Sequence, residues 1–181
     1  LACSYCYMGA KTHRPMDRRT GRRAIERALA SVQPGGTLEL GFFGGEPLLE
    51  ADLIADFISD AKVLAGLRGV SLSQSLTTNG TIVTPAAWSL MNMPELDLAV
   101  SCDGLPSVHD RHRRFVGGQG SAGRVLETME RLIHAGKEFR VVTVVRPDTL
   151  SELAACLRFL RGTGVRQVDL ALDLWAKWTR A

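Results

Sequence analysis

Strand-like and helix-like segments alternate along nearly the whole of this 181-residue chain, and that alternation narrows the possible folds more than any single residue. Short apolar runs at 37–42, 70–76, 96–102, 139–145 and 167–172 read as strands. The stretches between them place apolar residues three and four apart. Residues 17–32 open on Asp17, carry Ile25, Ala28, Leu29 and Val32 on one stripe, and stop before Pro34-Gly35-Gly36. Residues 50–66, 85–91, 121–135 and 150–160 follow the same helical logic. A strand, a helical crossover and another strand require parallel pairing, and strands covered on both faces read as unbroken apolar runs, as 139–145 does. The expectation is therefore a parallel α/β sheet. The polar stretch 103–120 is predicted to be one long irregular loop, and a loop of that length in a compact domain is more often functional than idle. No repeat, low-complexity tract or linker interrupts residues 1–181, so one domain is expected.

Composition excludes several classes. An apolar content of 45% is ordinary for a globular chain. No apolar run reaches the eighteen or so residues of a membrane span, and the start lacks a signal-peptide pattern. The default expectation is a cytoplasmic protein with no membrane partner. A net charge of +3, from 22 basic and 19 acidic residues, gives no footprint for nucleic acid. Arg14, Arg18, Arg19, Arg22, Arg23 and Arg27 read as the solvated face of the first helix. Four cysteines do not make a disulfide scaffold in a chain of this size.

Chemistry-bearing residues fall at the expected carboxyl ends of strands, the edge where parallel α/β folds bind ligands. Cys3 and Cys6, two residues apart in Leu1-Ala2-Cys3-Ser4-Tyr5-Cys6-Tyr7, can point both sulfurs at one metal. That spacing alone serves zinc, redox pairs and iron–sulfur clusters alike. Gly44-Gly45-Glu46-Pro47 offers bare backbone and a carboxylate able to grip an ammonium group; a tight turn, with Pro47 starting the next helix, is the plainer alternative. Asn79-Gly80 is turn vocabulary. Ser101 and Asp103 flank Cys102 and should face away from it. Cys102 and Cys156 are expected to be small buried thiols. His109-Asp110-Arg111-His112-Arg113-Arg114 reads as a solvated charge cluster, although Arg113 could pair with a ligand carboxylate. His109 and His112 could be metal ligands, but nothing else argues for it. Trp88, Trp175 and Trp178 are expected in a core or an interface.

Together these motifs resemble those of radical S-adenosylmethionine (radical SAM) enzymes, in the branch that modifies peptides and matures anaerobic sulfatases. Residues 1–7 look like the tail of its C-x-x-x-C-x-x-C loop, with a leading cysteine expected two residues before Leu1. Gly44–Pro47, Thr78-Asn79-Gly80-Thr81, Ser101-Cys102-Asp103-Gly104 and His109–Arg113 follow in the branch's order and rough spacing. The resemblance implies a partial TIM-like (β/α)6 barrel whose first strand is missing, an incomplete core domain over 1–181, and no auxiliary-cluster (SPASM) domain within it. It implies Cys3 and Cys6 as two of three thiolates on a 4Fe-4S cluster, Tyr5 near the adenine, and Gly44, Gly45, Glu46 and Pro47 at the methionine ammonium. Ser101, with Asp103 and Asn79, would line the ribose and carboxylate region, and Arg113 would meet the carboxylate. The implied activity is reductive cleavage of S-adenosyl-L-methionine to a 5′-deoxyadenosyl radical that modifies a peptide or protein side chain, with a flavodoxin or ferredoxin as electron donor. A non-catalytic nucleotide- or peptide-binding module, or a zinc or dithiol protein using Cys3 and Cys6, is the alternative. Cys102 stands where this branch would carry an aliphatic residue.

Overall fold

The computed structural model describes residues 1–8 and 14–178. Its elements run α1 (Arg18–Ala30), β1 (Thr37–Phe42), a 3-10 turn (Pro47–Glu50), α2 (Ala51–Leu67), β2 (Ser71–Thr78), α3 (Pro85–Met91), β3 (Leu96–Ser101), α4 (Pro106–His112), α5 (Ala122–His134), β4 (Arg140–Val145), a second 3-10 turn (Leu150–Glu152), α6 (Leu153–Gly162) and β5 (Val168–Leu172). Strand order follows chain order. The fold is α/β with parallel strands, a partial TIM-like barrel.

The chain forms two compact units. One comprises residues 10–77 and 82–97. There β1 and β2 pair in parallel from Thr37↔Ser71 to Phe42↔Leu76. The Asp17 carboxylate accepts from the Thr20 N–H at 2.9 Å, satisfying an orphan donor at the start of α1. Thr84 caps α3 in the same way ahead of Pro85. The apolar stripes that mark α1 and α2 in the sequence meet here: Ile25 and Leu29 pack with Phe57, Ala61 and Ala65, and with Leu38 of β1.

The other unit comprises residues 1–9, 78–81 and 98–181. In it β3 pairs in parallel with β4 through Ala99↔Arg140 and Ser101↔Val142, and β4 with β5 from Val141↔Val168 to Val145↔Leu172. Leu98, Val100, Val125, Leu132, Val141 and Leu160 are fully buried.

Two expectations need correction. The stretch 103–120 contains α4, because Pro106 sets the first helical turn and Val108 and His109 bury one side of it. Strand β4 alternates between buried and half-buried residues, with Val141, Thr143 and Val145 covered and Val142 and Val144 partly open, so only one of its faces is packed. Of the tryptophans expected in a core or an interface, Trp175 is 85% and Trp178 40% exposed, so neither lies in the core.

Candidate functional site

The cysteine loop is a single turn. The Cys6 N–H donates to the Cys3 carbonyl at 3.1 Å, which places both cysteines on one corner of the backbone. Both are free and half-buried, open to a ligand. The loop is sewn to the end of α4 by two backbone bonds, Ala2 N–H to the Arg114 carbonyl at 2.7 Å and Ser4 N–H to the His112 carbonyl at 2.9 Å.

Tyr5 supplies a third anchor. Its hydroxyl donates to Asp103 Oδ2 at 2.5 Å. Its ring lies under two guanidinium groups, with Arg113 Cζ at 5.2 Å and Arg146 Cζ at 5.8 Å from the centroid, within cation–π range. Burial raises the phenol's pKa, Arg113 works against that rise and the Asp103 charge adds to it, so Tyr5 stays a protonated donor.

Asp103 lies just past β3 and is 4% exposed. Its two oxygens accept four hydrogen bonds: from Tyr5, from Arg113 Nε at 2.9 Å and Nη2 at 3.2 Å, and from the Val144 N–H at 2.9 Å. Burial alone would raise its pKa, but the Arg113 charge and these bonds more than offset it and hold the carboxyl below the usual range. Arg113, 6% exposed, is thus committed to Asp103 by a two-point pair. The expected solvated charge cluster is a buried one at these positions, while Arg111 and Arg114 remain exposed.

His109 closes the arrangement. Its Nδ1 accepts from the Asp103 N–H at 3.3 Å; Nε2 therefore carries the proton and donates to Ser121 Oγ, 2.9 Å away. Ser121 Oγ donates onward to the Arg113 carbonyl at 2.6 Å. Burial, assisted by Arg113, lowers the imidazole pKa to about 4, so the ring is neutral. With both nitrogens used, His109 is no metal ligand. His112 is engaged at both nitrogens too, by Ser4 Oγ at 2.7 Å and Asp148 Oδ2 at 2.8 Å.

The remaining candidates serve turns or stay open. Asn79 Oδ1 accepts from the Thr81 N–H at 2.9 Å and hydroxyl at 2.6 Å, making the anticipated turn, and the Thr128 hydroxyl holds the Gly80 carbonyl at 2.7 Å. Ser101 is half-buried, and its hydroxyl bonds to nothing among the described residues. Cys102 is fully buried, and burial pushes its thiol up to about 11. Gly104, at φ +97°, sits where a Cβ would lie 2.3 Å from Cys156 Cβ, so that cysteine packs into the space glycine leaves.

In the other unit, Glu46 Oε1 accepts from the Leu48 N–H at 3.0 Å, capping the 3-10 turn that Pro47 begins. Gly44, Gly45 and Glu46 line a cleft of about 470 Å³ with Leu40 and Phe42 among its walls. A Cβ built on Gly45 would meet nothing within 4 Å, and its φ is not in the left-handed region. Neither packing nor backbone geometry within the protein explains why Gly45 is glycine.

Among the described residues no group of three or more His, Cys, Asp or Glu side chains could hold a metal. Cys3 and Cys6, both free and half-buried, are of the ligand type that iron–sulfur clusters take. The description "Radical SAM superfamily" matches residues 1–160.

This chain belongs to the radical SAM superfamily.

Among relatives of this radical SAM chain, an uncharacterized protein of Methanocaldococcus jannaschii is 27% identical over 175 residues, covering 95% of this chain and 58% of that protein. A serine-type anaerobic sulfatase-maturating enzyme of Klebsiella aerogenes is 29% identical over 176 residues, covering 93% and 42%. The chain thus spans roughly half the length of the curated relatives it matches. Among solved structures, native anSMEcpe with bound AdoMet and Kp18Cys peptide superposes with a TM-score of 0.81 at 21% identity, covering 96% of this chain and 48% of that one. Streptococcus suis SuiB bound to the precursor peptide SuiA gives 0.72 at 15%, covering 94% and 36%. These two likenesses establish the fold.

Signals for the residues missed were thin. Ser4, Asp148, Arg146 and Ser121 are ordinary polar residues in the sequence, and the Ser4–His112 contact spans 108 positions. No helix among the described residues is long and apolar enough to cross a membrane.

Proposed function

We propose that this radical SAM chain is the core of an enzyme that modifies a side chain of a peptide or protein. The observation that carries the reading is the cysteine turn, whose two accessible thiols are held at the end of β3 by Tyr5 and Asp103 and at the end of α4 by backbone bonds. The sulfatase-maturating relatives support the substrate class.

Cys3 and Cys6 would hold two corners of a 4Fe-4S cluster. When bound, that cluster and S-adenosylmethionine supply one-electron cleavage of a carbon–sulfur bond and a radical able to abstract hydrogen. The protein contributes binding, orientation and exclusion of water. Gly44 and Gly45 let backbone approach the methionyl group, and Glu46 and Pro47 fix the turn that faces its ammonium. The unbonded Ser101 hydroxyl and Asn79 serve the ribose and carboxylate region. Tyr5 holds the adenine side of the loop through Asp103. Arg113 neutralises Asp103 and keeps that carboxylate in place.

The full-length protein, reconstituted anaerobically with iron and sulfide and reduced by flavodoxin or ferredoxin, should release 5′-deoxyadenosine from S-adenosylmethionine. Cys3→Ala should abolish both cluster absorbance and that product. A reconstituted wild type with no cluster absorbance would rule the reading out.

A further inference from the structure

We infer that His112, held in one tautomer by Asp148, is a positioning residue that clamps the cysteine loop before any metal is bound. Ser4 stands between the two cysteines and meets His112 twice, backbone N–H to carbonyl at 2.9 Å and hydroxyl to Nδ1 at 2.7 Å. Two bonds between one pair of residues fix both the position and the rotation of Ser4, and with it the turn that carries Cys3 and Cys6.

The direction of the side-chain bond follows from the far side of the ring. Nε2 lies 2.8 Å from Asp148 Oδ2, and a carboxylate oxygen accepts only, so Nε2 carries the proton. In the neutral ring Nδ1 is then the acceptor, and the Ser4 hydroxyl donates to it. Asp148 is steadied in turn by Arg146 Nε at 3.1 Å, just beyond β4. A relay Arg146–Asp148–His112–Ser4 therefore runs from the strand edge into the middle of the loop. The ring also sits 5.7 Å from that of Tyr5, so the clamp and the Tyr5 anchor brace each other. Second-layer partners of this kind set the geometry of ligands they never touch.

The clamp is independent of metal; its meaning for catalysis rests on the cluster reading above. Asn at 112 places an amide near the Nδ1 position and can serve Ser4, whereas Gln reaches the Nε2 position and serves Asp148. In the full-length, metal-free protein, His112→Ala and His112→Gln should each speed amide exchange at Ser4 about fivefold or more, with Val141 and Val165 unchanged as controls, and His112→Asn should restore protection. In the reconstituted protein the same two variants should broaden or shift the electron paramagnetic resonance signal of the reduced cluster, and Asn should return it toward wild type. Unchanged exchange at Ser4 in His112→Ala, or rescue by Gln equal to that by Asn, would overturn the proposal. Absence of a cluster in the wild type defeats the cluster reading instead, and the exchange measurement still decides the clamp.

Discussion

Arg113 grips Asp103 through Nε and Nη2, at 2.9 and 3.2 Å, and both side chains are more than nine-tenths buried. Removing one partner leaves the other charge stranded in a low-dielectric environment. Asp103→Ala should therefore destabilise the fold by about 3–5 kcal/mol, far more than loss of any exposed ion pair such as Arg124–Glu127. Urea unfolding of Asp103→Ala beside Glu127→Ala checks the contrast.

His109 gives the stability a pH dependence of definite sign. Its folded pKa of about 4 lies below the ordinary 6.5, so the unfolded chain binds the proton more readily in that interval. Stability should be fully present above about pH 6.5 and fall as the pH drops toward 4, by up to ~3 kcal/mol from this group. The groups facing the ring are Asp103, Arg113, Asp110 and Ser121. In His109→Gln the slope across that window should flatten, as read from midpoints of denaturant unfolding at several pH values.

Gly45 lets the proposed cofactor contact be tested apart from folding. Because a Cβ there would touch no protein atom within 4 Å, Gly45→Ala should leave stability within about 0.5 kcal/mol of wild type. If Gly45 borders the methionyl group as proposed, the same change should weaken S-adenosylmethionine binding at least tenfold, because the added methyl would stand in that approach. Calorimetric binding beside thermal unfolding distinguishes the two effects.

Cys3 and Cys6 should behave as one class and Cys102 as another. Cys3→Ala and Cys6→Ala should each lose iron–sulfur content while keeping the fold, because their thiols are half-exposed and free. Cys102→Ala should keep iron content and cost about 1 kcal/mol, the consequence of a small cavity around a fully buried thiol. Iron and sulfide analysis of the three variants tests the division.

Much of this architecture is legible in the residue order, and the failures have physical causes. The stripe of Ile25 and Leu29, the cap at Asp17 and the proline at 85 carry local information, so α1 and α3 appear close to where the sequence puts them, while the Thr84 cap shows only in the fold. Helix α4 escapes because its seven residues are mostly charged or polar and only Val108 and His109 turn inward. Burial of Arg113 is invisible for another reason: its partners Asp103 and Tyr5 are ten and 108 residues away, and nothing in a charge run says which guanidinium will be desolvated. For the cysteine loop, the chemistry of the thiols is written in the sequence, whereas the clamp on Ser4 exists only once the chain has folded.

The hydrogen bonds from Asp103 to His109, from His109 to Ser121, from Ser121 to the Arg113 carbonyl and from the Arg113 guanidinium back to Asp103 form a closed circuit with no spare terminal. Two of its links use backbone atoms, the Asp103 N–H and the Arg113 carbonyl, so the side chains couple as two pairs, His109 with Ser121 and Arg113 with Asp103. Lineages that alter one member of a pair should change its mate in step, and anyone transplanting this loop into another scaffold would have to carry each pair across whole.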